Sequence, residues 1–301
     1  MIRAEIQEAS LHLREVWKLF ARTSPGGEAF ERVGLSIADG NQPWFFMNLA
    51  ILSRPVANAS DLRLRAKEGL EHFGARENPW VLTGSEDWFG PDPDTVLARL
   101  GLVRKLDLTA MVAERLSPPT RSTPEALLRR IDEDERRFAL ADINPPEVLL
   151  RRIDDAETRC ALADINADAY GVPRAWGRRA VSSPALWRGP LFGRIAYLWD
   201  GPASGAFVLP VADALYVAWV ATSKAHRRSG LAELVIRACL EDARRATGLE
   251  RTILHATADG FPVYRRMGYR PVAKFPFYTH EAAPPVDAPT TCESGTAPLK
   301  S

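Results

Sequence analysis

The stretch from Leu215 to Ala232, LYVAWVATSKAHRRSGLA, constrains this chain more than any other. Its apolar first half reads as a strand over Ala214–Thr222. A short polar loop follows. Gly230 then opens a helix to Thr247, with Leu231, Leu234, Val235, Ala238, Cys239 and Leu240 along its apolar side. A strand that leads into a helix N-terminus gathers backbone N–H groups at the positive end of the helix dipole, where phosphate oxygens bind. Gly230 removes a side chain that would block close approach, and Arg227 and Arg228 stand beside it as phosphate partners. The same residues, taken alone, also read as an ordinary strand–turn–helix with a capping glycine and solvated arginines.

The flanks fit a mixed α+β chain. Gly193–Trp199 and Ala206–Pro210 read as strands, with Asp200-Gly201 as the turn between them. Thr252–Thr257 reads as a strand, Phe261–Met267 as a short helix closed by Gly268, and Tyr269–Tyr278 as a final strand. The N-terminal part begins with a helix over about residues 5–21, stopped by Ser24-Pro25-Gly26-Gly27. Strands over Val33–Ala38 and Trp44–Ser53 follow, joined by a hairpin turn at residues 39–43. Then come a helix over Asp61–Phe73, a short strand over Trp80–Thr83, a helix over Pro93–Leu100 and a strand over Leu102–Val112.

Between the two parts lies a repeat. PEALLRRIDEDERRFALADIN at 124–144 and PEVLLRRIDDAETRCALADIN at 146–166 are identical at 16 of 21 aligned positions, at an offset of 22. Each copy reads as a short strand leading through acidic residues into a helix. Two copies are too few for a solenoid, so we read a recent duplication of which the fold needs one copy. The second copy's helix runs to Tyr170 and ends at Gly171-Val172-Pro173; another helical stretch covers about 173–188. The tail from about residue 282, rich in Pro, Ala, Thr and Ser, is expected to be disordered.

Composition narrows the function. The 301 residues suggest two domains. Lys+Arg is 39 against Asp+Glu 38, which argues against a nucleic-acid binder. Cys160, Cys239 and Cys292 are far apart, odd in number and without C-x-x-C spacing, so neither a disulfide framework nor a zinc site is suggested. No run of about 18 apolar residues predicts a membrane span. The start, Met1-Ile2-Arg3-Ala4-Glu5, lacks the regions of a signal peptide, and the cytoplasm is the default location. P-loop, G-x-G-x-x-G, H-E-x-x-H and G-x-S-x-G patterns do not occur.

Arg227-Arg228-Ser229-Gly230-Leu231-Ala232 resembles the [QR]-x-x-G-x-[GA] motif of the GNAT N-acetyltransferases, which bind acyl-coenzyme A. Val220-Ala221-Thr222 resembles the end of that family's fourth strand. Leu254-His255-Ala256-Thr257, followed by Gly260-Phe261-Pro262-Val263-Tyr264-Arg265-Arg266-Met267-Gly268-Tyr269, resembles its second signature. The resemblance covers about residues 146–280. It implies a GNAT fold, a mixed central sheet flanked by helices. The N-terminal segment has a similar element order but no phosphate loop. That suggests a tandem arrangement of two GNAT-like lobes, with a degenerate lobe over 1–120, the duplicated linker over 121–145, the catalytic domain over 146–282 and the tail over 283–301.

The resemblance further implies site roles. Backbone groups of Val220 and Thr222 would pair with the pantetheine arm, with Ala221 between them. The Arg228–Ala232 amides, through Ser229, Gly230 and Leu231, would hold the pyrophosphate beside Arg227. The thioester of acetyl-CoA would sit where Ala214–Thr222 and Thr252–Thr257 splay apart. The Val220 N–H would stabilise the oxyanion and Tyr264 would protonate the leaving thiolate. The implied reaction is direct attack by a primary amine of a small molecule in a ternary complex. Ala214–Thr222 contains no Glu, which leaves Asp213, His226, His255 or a water chain as routes for the amine proton. Phe45, Phe46 and Asn48 are expected to face the C-terminal half. A peptide acceptor, or a non-catalytic acyl-CoA sensor, stays open as an alternative. No metal, nucleic acid or membrane partner is expected, and a homodimer is compatible with the sequence.

Overall fold

A computed structural model describes residues 2–76, 78–119 and 148–280 of the protein. In chain order the elements are α1 (Ile2–Thr23), β1 (Glu28–Arg32), β2 (Leu35–Asp39), β3 (Asn48–Leu52), α2 (Ala59–Gly74), β4 (Val81–Thr83), α3 (Pro93–Ala98) and β5 (Leu102–Ala113). Then follow β6 (Leu149–Arg152), α4 (Ala156–Tyr170), α5 (Arg174–Val181), β7 (Phe192–Leu198), β8 (Gly201–Val211) and β9 (Ala214–Thr222). The last are α6 (Leu231–Thr247), β10 (Thr252–Ala256), α7 (Phe261–Arg266) and β11 (Arg270–His280). The first copy of the repeat and the expected disordered tail lie outside the described residues. The second copy forms the expected strand and helix, β6 and α4.

The chain packs as two units that interleave along the sequence. One takes the described parts of Met1–Leu116, Val211–Tyr216 and Glu250–Thr290; the other takes those of Ser117–Pro210 and Val217–Leu249. The motif-based division at 120 and 146 follows the chain instead. The difference arises because β10 and β11 return to pair with β5.

In the first unit the strand order is β1-β2-β3-β4-β11-β5-β10. The sheet is mixed: β3 and β4 are parallel, and the other neighbours are antiparallel. Every residue of β2 and β3 is buried. Strands covered on both faces read as apolar runs, not as alternating ones. Along α1, Ile6, Ala9, Leu13, Val16 and Phe20 are all buried, the spacing of one helix face. β10 also pairs in parallel with the first residues of β9, Leu215 with Thr252 and Tyr216 with Ile253.

Two expectations change here. β1 is a strand that sequence pattern does not reveal, because EAFER carries three charges and forms the unit's edge; charged edges deter strand addition. The strand expected from Trp44 starts only at Asn48, since Phe45–Met47 is a 3₁₀ turn. The Trp17 indole N–H donates to the Phe46 carbonyl, and Phe45 stacks on Phe46. Asn48 is fully buried inside this unit and donates to the carbonyls of Gln42 and Pro79 at 2.6 and 2.8 Å, so it serves the fold.

In the second unit β6, β7 and β8 are antiparallel neighbours, with β9 next to β8. α4 starts in a capping box, Asp155 with Thr158, and ends at left-handed Gly171. α5 crosses α4 closely: a Cβ on Gly177 would lie 2.6 Å from the Ala163 carbonyl. Arg178 forks onto Asp164 with two bonds of 2.7 Å across that crossing. Cys239 of α6 is a buried free thiol. Among the described residues, no helix is long and apolar enough to cross a membrane.

Arg65 is the most committed polar side chain of the first unit, at 3% exposure. It forks onto Asp61 at 3.0 and 2.6 Å and donates to the carbonyls of Gly34, Arg54 and Pro55. Removing it strands these acceptors, so Arg65→Ala should cost roughly 2–4 kcal/mol in urea unfolding. Arg65→Lys should recover only part of this, because an ammonium lacks the fork. A wild-type midpoint in the alanine variant would refute the assignment.

Candidate active site

β9 ends at Val220, Ala221 and Thr222, and two bonds brace that end within the second unit. The Ser204 hydroxyl donates to the Ala221 carbonyl at 3.0 Å, and Ser204 and Thr222 share a hydrogen bond of 2.9 Å. The Ser223 N–H donates to the Ala203 carbonyl at 2.8 Å. A 3₁₀ turn, Lys224–His226, follows. The Ser229 hydroxyl then donates back to the His226 carbonyl at 2.5 Å, and Arg227 Nε lies 3.5 Å from the Thr222 carbonyl. His226 Nε2 is 2.7 Å from an Asp200 oxygen in the β7–β8 turn. The loop is therefore tied at three places before the helix begins.

Two residues of the loop are left-handed, Arg228 at φ +66° and Gly230 at φ +89°. Gly230 is the N-cap of α6, and no side chain caps the helix there. A Cβ on Gly230 would meet no protein atom within 4 Å, and the positive φ is the reason within the fold itself for glycine here. The first acidic side chain of α6, Glu233, is turned to Arg237 at 2.8 Å. A 17-residue helix thus starts with its N–H groups and dipole uncapped by any side chain, beside exposed Lys224, Arg227 and Arg228. The resemblance places the pyrophosphate at these residues, and they fit it.

The corresponding connection of the first unit, β3 to α2, lacks this property. Asn58 caps α2 and accepts from the N–H groups of Ser60 and Asp61. Asp61 accepts from Ala57 N–H at 2.8 Å, and the Arg65 guanidinium fills the adjoining space. The β3–β4 ladder covers the whole of β4, and a Cβ on Gly84 would strike Leu52 at 2.8 Å.

Trp219 breaks the regularity of β9: its φ is +55°. Such backbone persists only where the surroundings hold it. Asn166 of α4, fully buried, donates to the Trp219 carbonyl at 3.2 Å and to the Leu162 carbonyl at 3.0 Å. This left-handed residue precedes Val220 by one, so it sets how Val220 and Thr222 present their backbone. Strict alternation along the strand, which puts Trp219 and Val220 on opposite faces, does not apply across it. Neither the role of Asn166 nor the left-handed Trp219 has a local sequence signal.

Within the first unit, Tyr264 is buried on α7 and packs edge-on to Tyr269, with ring centroids 5.8 Å apart. Gly260 lies against its ring, where a Cβ would come within 3.0 Å. His255 of β10 shares a hydrogen bond of 2.9 Å with the Tyr216 hydroxyl and meets the edge of Phe275. Burial, with His12 as a nearby like charge, lowers the His255 pKa from 6.5 to about 3. An imidazole so poised takes a proton from an ammonium group poorly near neutrality, which removes it as an effective general base. Glu28, Asp39 and His72 bring ligand atoms within 4.8 Å of one another. Arg76 lies 2.9 Å from Asp39 and bonds Glu28, so this set is neutralised from within the fold.

Two outcomes follow from these contacts. Asn166→Ala should lower the stability by about 1–3 kcal/mol through the stranded Trp219 carbonyl, read as a fall in the urea midpoint. His255 binds a proton between about pH 6.5 and pH 3 in the unfolded chain but not in the native one, so stability falls on acidification through that window. The slope from this group is at most ~1.4 kcal/mol per pH unit. His255→Gln should flatten it in pH-dependent unfolding, and an unchanged slope would acquit the ring.

Comparison with known proteins gives a family match and a shared fold. The Acetyltransferase (GNAT) family matches residues 150–269. No curated protein matches the chain in sequence. Among solved structures, a GCN5-related N-acetyltransferase from Kribbella flavida is 16% identical, with a TM-score of 0.60 over 91% of this chain and 96% of that one. One from Sphaerobacter thermophilus is 14% identical, with a TM-score of 0.53 over 89% and 81%. A tandem GNAT protein from the clavulanic acid biosynthesis pathway is 16% identical, with a TM-score of 0.50 over 87% and 82%. Residues 150–269 are therefore an acetyltransferase domain of the GNAT family, carried in a chain with the tandem GNAT fold.

Proposed function

We propose that the protein transfers an acetyl group from acetyl-CoA to a primary amine of a small molecule, by direct attack in a ternary complex. The observation that carries this reading is the start of α6, a helix N-terminus left uncapped by side chains and reached through left-handed Arg228 and Gly230. The Arg228–Ala232 amides take the pyrophosphate, with Arg227 beside them. Ala232 occupies the position where Gly is commoner in the family, a variation the motif allows. Backbone groups of Val220 and Thr222 pair with the pantetheine arm as an added strand does.

In the reaction the amine nitrogen forms a bond to the acetyl carbon and the carbon–sulfur bond breaks. The Val220 N–H stabilises the oxyanion. Tyr264 gives its proton to the departing thiolate. β9 offers no carboxylate and His255 is a weak base, which leaves a water chain, Asp213 or His226 to take the amine proton. Positioning both reactants supplies much of the acceleration. Acetyl-CoA as co-substrate suits the cytoplasm.

Turnover of acetyl-CoA over a panel of amines tests the reading. Tyr264→Phe should lower kcat by about 10²-fold or more while acetyl-CoA binding persists. Full kcat in a folded Phe variant removes the tyrosine from the reaction. Gly230→Ala strains a left-handed position and should weaken acetyl-CoA binding with little loss of fold. Tight binding without turnover on any amine points to a sensor, turnover on peptides alone to a peptide acetyltransferase. A wild-type protein that gives neither binding heat nor a thermal shift with coenzyme A refutes the proposal.

A further inference from the structure

The β7–β8 hairpin closes with Leu198 paired to Gly201, which leaves Trp199 and Asp200 as its two turn residues. Gly201, at φ +120°, supplies the backbone angle the turn needs. Asp200 is an ordinary turn residue, but Trp199 is not: two-residue turns favour Asn, Asp and Gly. Its side chain is 77% exposed, more than any other large hydrophobic among the described residues, and it makes no ring contact among them. Neither the turn nor the core explains an indole here.

Its neighbourhood does. Asp200, the next residue, contacts His226 at 2.7 Å, and His226 stands four residues before Gly230. The strand that begins with the turn also holds the loop directly, through Ala203 to Ser223 and Ser204 to Thr222. All of these residues belong to the second unit. The turn that carries the exposed indole is therefore tied to the loop assigned to the pyrophosphate, which itself bears the exposed cations Lys224, Arg227 and Arg228. An open aromatic face next to cations and a helix N-terminus is the chemistry that receives a phosphorylated purine, with the base stacked and the phosphates on the loop.

We propose that Trp199 is the stacking platform for the adenine of coenzyme A, so that the β7–β8 turn and the Arg228–Ala232 loop grip the nucleotide end together. This rests on the acetyl-CoA reading above. Asp200 and His226 act as positioning residues that hold the platform at the loop.

Calorimetric titration of the full chain with coenzyme A and with 4′-phosphopantetheine, which lacks the adenosine, separates the outcomes. Trp199→Ala should weaken coenzyme A binding roughly 5- to 150-fold, the range of stacking on one base, and leave phosphopantetheine binding unchanged. Trp199→Phe should restore most of the affinity. Wild-type coenzyme A affinity in the alanine variant overturns the platform. Equal loss for both ligands also overturns it, since that marks a general disturbance of the loop. If the wild-type chain binds neither ligand, the acetyl-CoA reading itself fails, and the platform falls with it. If it binds both equally tightly, the adenosine contributes nothing and only the platform is lost.

Discussion

Helix α6 starts where the backbone turns through two left-handed residues, Arg228 and Gly230, and this start governs the rest of the candidate site. A capping Ser, Asp or Asn would satisfy the first N–H groups from within and close the site to an anion. Gly230 avoids that and still lets the chain enter the helix. The strain of a left-handed Arg228, on the order of 1 kcal/mol, is met by the ties that Ser229, His226 and Ser204 make around the loop. Left-handed Trp219, upstream in β9, repeats the pattern. There Asn166 holds a backbone that the sequence alone would not adopt.

The first unit shows what the same kind of connection looks like when the fold uses its polar groups itself. At the start of α2, Asn58, Asp61 and Arg65 supply the partners that an anion or a ligand carbonyl would otherwise find. β3 and β4 stay zipped to the end of β4, with Gly84 against Leu52. In the first unit the helix start is satisfied by the fold's own side chains, whereas at α6 it is left exposed.

Much of this was legible in the sequence, and the reasons are local. β9 falls on Ala214–Thr222 as expected, because an apolar run bounded by polar turns leaves little choice of ends. Gly171 and Gly268 are both left-handed as their positions after helices suggest. The loop motif was readable because it needs particular residues in sequence. What escaped is non-local. β1 is a strand through its pairing to β2, not through its own charged residues. Phe45–Met47 turns rather than extends because Trp17 and Asn48 hold it. Asn166 reaches Trp219 from another element. The weakness of His255 as a base follows from burial, which composition does not record.

The position of β11 carries a consequence for how such a chain comes into being. It lies between β4 and β5, pairing with both. The sheet begun by the first hundred or so residues therefore has a vacant slot until the last strand of the described chain arrives. During synthesis the early strands must wait with unpaired edges while the later domain is made, a state open to aggregation and to wrong partners. The final closure is a pairing of high sequence separation, which is slow by nature. Shortening the chain before β11 would thus not release an independent N-terminal lobe. It would leave that lobe permanently in its waiting state.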